Sequence, residues 1–484
     1  MNKMFLLKNK NFFIKIHKIN NIHLVGIGGI GMSGIAKILF HSGYKISGSD
    51  LSPNKITKQL EKIGIKIFYK HSKKNIKNAN VLVISSAVKS DNLEIVSAKK
   101  KNIPIIKRAE MLAELMRFHY GIAIAGTHGK TTTTSMIINI YIYAGINPTF
   151  INGGISNNCN IHAHLGKSKY FITEADESDA SFLYLKPIIA IITNIEADHL
   201  ETYQKNFKIL KQTFINFLQN IPFYGYAIIC IDDPIIKKLL PHIRCKIITY
   251  GFSNNADFRI NKYQQKETCI NFDIYRKKKP KLHITLNTPG YHNALNASAA
   301  IAIATLNNID DKKIIQAMSK FKNVNRRFEN LGYHFLNKEK EKTKKILLID
   351  DYGHHPTEIN VTIQTIRNGW PNKRLVMIFQ PHRYTRTKNL YEHFVYVLSK
   401  VDILLILNIY SVGEIPISGI NSNELCKSIY KNKKKPILIR NTNILPILLP
   451  LILKNNDLLL IQGAGTIENI TQKLINTIFK KTYT

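Results

Sequence analysis

Residues 125–134 read AGTHGKTTTT. Lys130 and Thr131 behind Gly129 form the ending of a phosphate-binding loop, G-x-x-x-x-G-K-[ST]. In such a loop backbone N–H groups cradle an anion, the lysine reaches the β- and γ-phosphates, and the hydroxyl holds Mg²⁺. The pattern wants its first glycine at position 124, where Ile124 stands; Gly126 is the glycine present. The loop is therefore shorter than the usual one. A second glycine loop, GIGGIGMSG at 26–34, fits G-x-G-x-x-G through Gly26, Gly28 and Gly31. Asp50 follows about 20 residues on, where a ribose-binding acid would stand. Read by itself, this loop serves a dinucleotide, the pyrophosphate of another nucleotide, or only a structural turn.

Acids and histidines recur behind apolar runs. EADESD (174–179) follows a strand-like run, and Glu174 is the residue expected to hold a metal near a γ-phosphate; NIEADH (194–199) brings His199. Each group is equally able to form a structural hydrogen-bond network. DDYGHHPTEI (350–359) supplies Asp350, Asp351, His354 and His355, without the tighter ligand pattern usual for zinc. QPHRYTRT (380–387) places Arg383 and Arg386 at i, i+3, either forks suited to carboxylate or phosphate or a solvated basic face. GYHNALN (290–296) puts Asn293 and Asn296 on one helix face, to cap a turn or to touch a nucleotide.

These groups need elements to hold them. Strand-like runs at 22–26, 44–50, 81–88 and 103–108 alternate with helical segments, which predicts a parallel sheet and a first, Rossmann-like unit. A second unit opens at 120, with a helix predicted over 131–144 and strands within 170–176, 188–199 and 226–233. It closes near the NRRF at 325–328. A third begins around 345, with buried strands leading into 350–359, 380–387, 408–414 and 463–465. Most of the chemistry-bearing residues fall at strand carboxyl ends, where open α/β sheets collect ligands. The NKEKEKTKK segment at 337–345 reads as a solvated turn.

Length and composition agree with three folded domains: 484 residues, 44% of them hydrophobic and 21% charged. Apolar runs such as ILPILLPLIL (444–453) are short and interrupted by Pro, so no membrane insertion is expected. The first 18 residues lack the long apolar core of a signal peptide. Five cysteines without a C-x-x-C pair suit a reducing compartment, and a cytoplasmic enzyme is expected. The net charge of +37 comes from scattered Lys runs, at 99–101, 277–279, 342–345 and 433–435. Heavy use of Lys, Asn and Ile together fits an AT-rich coding bias, and no basic strip interleaved with aromatics points to nucleic acid.

HLVGIGGIGMSGIA, ISGSDL, AGTHGKTTTT, EADESDASF, NIEADH, PGYHNALNA, RRF, DDYGHHPTEI and FQPHRYTRT occur in the order seen in Mur ligases. The resemblance runs from about residue 20 to about 470. It implies an α/β protein of three domains: a Rossmann-like UDP-sugar domain (1–118), a central P-loop ATPase domain with a mostly parallel sheet (119–328), and a C-terminal Rossmann-like domain for the amino acid (329–484). The family's P-loop is the shorter form, with its glycine where Gly126 stands. The resemblance implies an ATP- and Mg²⁺-dependent amide ligase of peptidoglycan precursor synthesis, a monomer or homodimer. It would join L-alanine to the lactyl carboxylate of UDP-N-acetylmuramate through an acyl phosphate. A recycling relative that adds a peptide to the same sugar is the alternative, and an NAD(P)-dependent oxidoreductase a more distant one.

By motif position the resemblance assigns ATP to Gly126, Thr127, His128, Gly129, Lys130, Thr131 and Thr132, with Asn293, Asn296, Arg327 and Asp351 also reaching it. Magnesium goes to Thr131, Glu174 and His199. The UDP-sugar goes to Gly26, Gly28, Gly29, Gly31, Asp50 and Ser86, and the amino acid and acyl phosphate to Tyr352, His354, Arg383 and Arg386. Two departures stand out: Thr466 where the family carries Asp or Asn, and Asn323-Val324-Asn325 where it usually includes Gly.

Overall fold

The structure is a computed structural model; residues 19–154, 161–277, 279–336, 344–431 and 435–481 are described. The leader reading for the first 18 residues, Cys159, Lys278 and most of the 337–345 turn lie outside them. So do parts of the Lys runs at 342–345 and 433–435. Among the described residues no helix is long and apolar enough to cross a membrane. Cys230, Cys245, Cys269 and Cys426 are free thiols.

Three sheets organise the described residues. The first runs Lys66–Phe68, Lys45–Ser49, Asn21–Val25, Val81–Ile84, Ile105–Lys107 in spatial order, with every neighbour parallel. Strand order reverses between Asn21–Val25 and Val81–Ile84. That switch opens a crevice at the carboxyl end of Asn21–Val25, where Gly26 begins its turn. The chain then enters the Ile30–His41 helix, buried through Met32–Ala36 and at Ile38 and Leu39.

The second sheet has ten strands. Its centre is the parallel set Lys246–Gly251, Tyr226–Cys230, Ile189–Ile192, Tyr120–Ala125, Tyr170–Glu174 and Thr149–Ile151. Tyr120–Ala125 and Ile189–Ile192 are almost wholly buried, so they read as continuous apolar runs. The Lys130–Tyr143 helix is buried at every position from Thr132 to Tyr141. Within its Thr run, Thr131 Oγ1 donates to Glu174 Oε2 and the buried Thr133 Oγ1 to Asn296 Oδ1 at 3.2 Å. Phe258–Lys266, Cys269–Arg276 and Lys279–Leu286 extend the sheet on one side, and Ala163–His164 ends the other.

The third sheet orders Ile437–Ile439, Ile403–Leu407, Leu375–Phe379, Leu458–Gln462 and Lys345–Asp351 in parallel. Glu329–Leu336 and Phe479–Lys481 add to it antiparallel. One apolar layer, with Trp370, Phe379 and Phe394, covers one face; a second, with Leu445, Leu449 and Leu474, covers the other. The α/β class and the three mostly parallel sheets match the sequence expectation.

By contacts the chain divides into two compact units. One holds the residues up to Lys262 with Phe272–Ile284 and Ala294–Phe321; the other holds Tyr263–Asn271, Thr285–Asn293 and the chain from Lys322 on. The glycine loops that follow the first two sheets' strands therefore share one unit.

Candidate active site

The first glycine loop is tied to the end of the neighbouring strand. Gly26, at φ +78°, and Ile27 both donate backbone N–H to Ser49 O, at 2.8 and 3.1 Å. Gly28 N donates to Asp50 Oδ2 at 2.7 Å, and a Cβ on Gly28 would stand 2.7 Å from that same oxygen. Asp50 is thus folded onto the loop it is expected to serve. Gly29 caps the following helix without a side-chain bond, and the first turn carries no acid, leaving helix N–H groups for an anion. Ser85 is the serine that packs on Gly26, and Ser86 beside it is exposed. The space left by Gly31 is taken by Arg108, whose Nη2 lies 3.7 Å from Asp176 Oδ2. Nothing in the sequence singles out Arg108.

Beneath this loop lies a fully buried carboxylate. Glu94 accepts from Ser49 Oγ (2.6 Å), Asn75 Nδ2 (2.5 Å) and His71 Nδ1 (2.9 Å), and His23 Nε2 is 3.7 Å away. Burial would raise its pKa; nearby His23 and the bonds from Ser49, Asn75 and His71 outweigh that and hold it at about 2.

The second loop is built on residues 193–196. Thr127 N donates to Asn194 O (3.0 Å), His128 N to Asn194 Oδ1 (2.8 Å), and Glu196 N to Thr127 Oγ1 (2.8 Å). Thr193 Oγ1 donates to His128 O at 2.6 Å. Gly126 (φ +130°) and Gly129 (φ +84°) adopt left-handed conformations, and a Cβ on Gly129 would stand 2.6 Å from Asn296 Oδ1. The helix begins at Lys130. Thr131 Oγ1 donates to Glu174 Oε2 (3.0 Å), and Glu174 Oε1 accepts from Gly153 N (2.5 Å). A hydroxyl and a carboxylate side by side are the hard oxygen donors that Mg²⁺ takes. His199, at φ +54°, opens the Leu200–Tyr203 turn with Nε2 3.5 Å from Asp198 Oδ2.

Lys130 Nζ donates to Gly126 O (2.6 Å) and Thr127 O (3.2 Å) and reaches both oxygens of Glu177, at 2.7 and 2.9 Å. Burial opposes the charge on Lys130, yet Glu177 and then Asp176 hold its pKa above the ordinary value. Burial also pushes the Glu177 carboxyl up while Lys130 pulls it down; two short contacts to one ammonium describe an ionised pair. Glu177 is the acid that sequence reasoning passes over in favour of Glu174. Its signal is faint: four acids in six residues, one of which must neutralise Lys130.

In the second unit, Asp351 is buried and its carboxylate is engaged by its own surroundings. It accepts from Phe328 N (2.9 Å), Gly353 N (3.2 Å), Thr362 Oγ1 (3.0 Å) and Gln462 Nε2 (2.6 Å). Asp350, its pKa raised to about 6 mainly by burial, faces Arg326, which also donates to Gly463 O at 2.7 Å. The Arg327 guanidinium stacks on Tyr352 at 5.2 Å and lies 3.7 Å from Glu358. His354 packs edge-on against Tyr352 and 5.2 Å from the His382 ring, which in turn meets Arg386 Nη1 at 3.3 Å. Burial first, and neighbouring cations after it, lower His354 to about 4 and His382 to about 3. With the two imidazoles neutral, the positive charge here is carried by the arginines, whose guanidinium groups suit carboxylate or phosphate. Arg383 is exposed at φ +68° and starts the Tyr384–Asn389 helix. Asn293 Nδ2 donates to Pro289 O at 2.7 Å, closing its own turn. Thr466 Oγ1 accepts from Gln380 Nε2 at 3.3 Å, and Asn323 Nδ2 donates to Arg327 O at 2.5 Å.

Comparison with known proteins covers most of this framework. Residues 21–120 match the description "Mur ligase family, catalytic domain", 124–304 "Mur ligase middle domain", and 335–465 "Mur ligase, glutamate ligase domain". The chain is 57% identical over 475 residues to a UDP-N-acetylmuramate–L-alanine ligase of Baumannia cicadellinicola subsp. Homalodisca coagulata, covering 98% of this chain and 97% of that one. Among solved structures it resembles a UDP-N-acetylmuramate-alanine ligase from Thermotoga maritima, with TM-score 0.77, 28% identity, and coverage of 94% and 98%. It also resembles a UDP-N-acetylmuramate:L-alanyl-gamma-D-glutamyl-meso-diaminopimelate ligase from Neisseria meningitides, with TM-score 0.58, 27% identity, and coverage of 64% and 100%. The chain belongs to the Mur ligase family.

Proposed function

We propose that this protein is an ATP-dependent ligase that joins L-alanine to the lactyl carboxylate of UDP-N-acetylmuramate, releasing ADP and phosphate, in peptidoglycan precursor synthesis. The observation that carries the reading is the second loop, where Lys130 stands at a short glycine turn and Thr131 and Glu174 lie side by side. A carboxylate is a poor acyl donor, because its charge repels an incoming amine. Phosphorylation turns it into an acyl phosphate with a good leaving group. Two anions must meet in that first step, so positive charge is needed at the loop.

In this reading the reacting nucleotide is ATP on residues 126–132, with Lys130 on its phosphates. UDP lies on the first loop as a handle, its pyrophosphate on Gly26–Gly31 with Asp50 and Ser86 alongside. Thr131, Glu174 and His199 hold Mg²⁺, which when bound neutralises phosphate and carboxylate charge. Asn296 lies against Gly129 and supports the loop's shape. The 1–118, 119–328 and 329–484 domains carry the sugar, ATP and amino acid in turn, and Tyr352, His354, Arg383 and Arg386 receive the amino acid and acyl phosphate. Asn293, Arg327 and Asp351 complete the ATP set, Asp351 by holding the loop that carries Tyr352. The site of action is the cytoplasm, and the active form is a monomer or homodimer.

ADP release from Mg-ATP and UDP-N-acetylmuramate tests the reading, with each acceptor added in turn. Release is expected only with L-alanine. Release with a tripeptide and not with alanine would move the protein to the recycling activity. Dependence on NADH or NADPH oxidation would replace the reading with redox chemistry.

A further inference from the structure

Lys130 has three N–H donors, and within 3.2 Å it already meets four acceptors: two loop carbonyls and both Glu177 oxygens. A phosphate therefore cannot take the ammonium without displacing one of them. The carbonyls belong to the loop itself and move with it. Glu177 comes from a separate segment, and that segment is firmly held. Its backbone carbonyl accepts from Ala180 N (3.0 Å) and from the hydroxyl of Tyr203, a buried ring. Asp176 O next to it accepts from Phe182 N (3.0 Å), and Phe182 stacks on Phe217. The side chains of Lys130 and Glu177 are 17% and 4% exposed, so water does little to weaken their attraction.

We propose that Glu177 is the resting partner of Lys130: it holds the ammonium across the loop, and a nucleotide phosphate binds by displacing it. This rests on the reading of residues 126–132 as the ATP site. Glu177 then acts as a positioning residue. It keeps Lys130 tethered and charged before nucleotide arrives, and it sets part of the free-energy cost of binding. The fixed member is the carboxylate and the mobile one the long lysine side chain, so exchange of partners requires no rearrangement of the 175–182 segment.

The test is Mg·ADP binding by isothermal titration calorimetry in the parent protein, Glu177→Gln, Lys130→Met and the double variant. E177Q removes the competing charge, and affinity for Mg·ADP is expected to rise roughly five- to tenfold, the low end of ordinary coupling. The gain should vanish in the Lys130→Met background. Damage to the fold would weaken binding, so a rise that depends on Lys130 separates positioning from structure. Unchanged or weaker binding in a folded E177Q overturns the proposal, as does a gain that survives without Lys130. If E177Q does not fold, Glu177→Asp reads the same competition with a smaller gain, and a loss of affinity there overturns it too. Failure of the parent protein to bind Mg·ADP would remove the nucleotide reading itself, and this inference with it.

Discussion

Glu94→Gln leaves the shape beneath the first glycine loop nearly unchanged and removes its charge. The carboxylate holds Ser49, and Ser49 O in turn fixes Gly26 N and Ile27 N. Its pKa is lowered from 4.5 to about 2, a shift worth about 3 kcal/mol at ~1.4 kcal/mol per unit. Water reaches the edge of the pocket through His71, 18% exposed, which reduces the figure to about 2 kcal/mol. A depressed carboxylate stabilises the fold above its unfolded pKa, and that stability drains away as pH falls from 4.5 toward 2. The chain's single tryptophan, Trp370, sits in the third sheet's core and does not report on this region. Amide hydrogen exchange on peptides spanning 22–34 does. At neutral pH the variant should exchange about 30-fold faster there, the factor that about 2 kcal/mol implies. The ratio should approach one on acidification below pH 4.5. Equal exchange at pH 7, or a ratio that widens as pH falls, would refute the assignment of Glu94 as an ionised support.

Glu174→Ala should cut ligase turnover by roughly a hundredfold while leaving thermal unfolding nearly unchanged; a normal rate at saturating Mg²⁺ would remove Glu174 from the metal set. Gly126→Ala adds a Cβ that collides with Thr193 Oγ1 and lies 3.0 Å from Asn194 O, at φ +130°. Calorimetry should show at least ~10-fold weaker Mg·ADP binding with UDP-sugar binding retained, and equal loss of both ligands would point to general unfolding instead.

The glycine loops and the parallel strands before them are legible because each rests on local chemistry: an apolar run, a turn that needs glycine, a helix start. Lys130 and Thr131 are named by their spacing alone. Glu177 and Arg108 are not, because their importance lies in what they face across the fold: Lys130 for one, Gly31 and Asp176 for the other. The strands between 246 and 286 escape the sequence reading for a different reason. Phe258–Lys266 is buried at only two of its nine positions and rich in Lys and Gln, so no apolar run marks it. Asp50 and Asp351 are picked out by the sequence as candidate site residues. Their letters cannot say that Asp50 bonds Gly28 of its own loop, or that Asp351 is enclosed by four donors. NIEADH draws attention through its histidine, whereas Asn194 is the residue that bonds the backbone of Thr127 and His128 in the second glycine loop.

The Ile30–His41 helix packs directly on the second sheet. A Cβ on Gly34 would lie 3.1 Å from Ile151 Cγ2 and 3.2 Å from Ala163 Cβ, and Ser33 Oγ bonds His162 Nε2 at 3.0 Å in the buried seam. Arg108 with Asp176, and Lys107 with Tyr184, cross the same boundary. The first hundred residues are therefore not a portable cassette. Expressed alone, they would present an apolar helix face to water and invite self-association. Exchanging this segment between relatives would transplant half of a seam, so substitutions at Gly34, Ile151, His162 and Ala163 are constrained to change in concert. The first glycine loop and the Lys130 loop are inherited as one piece.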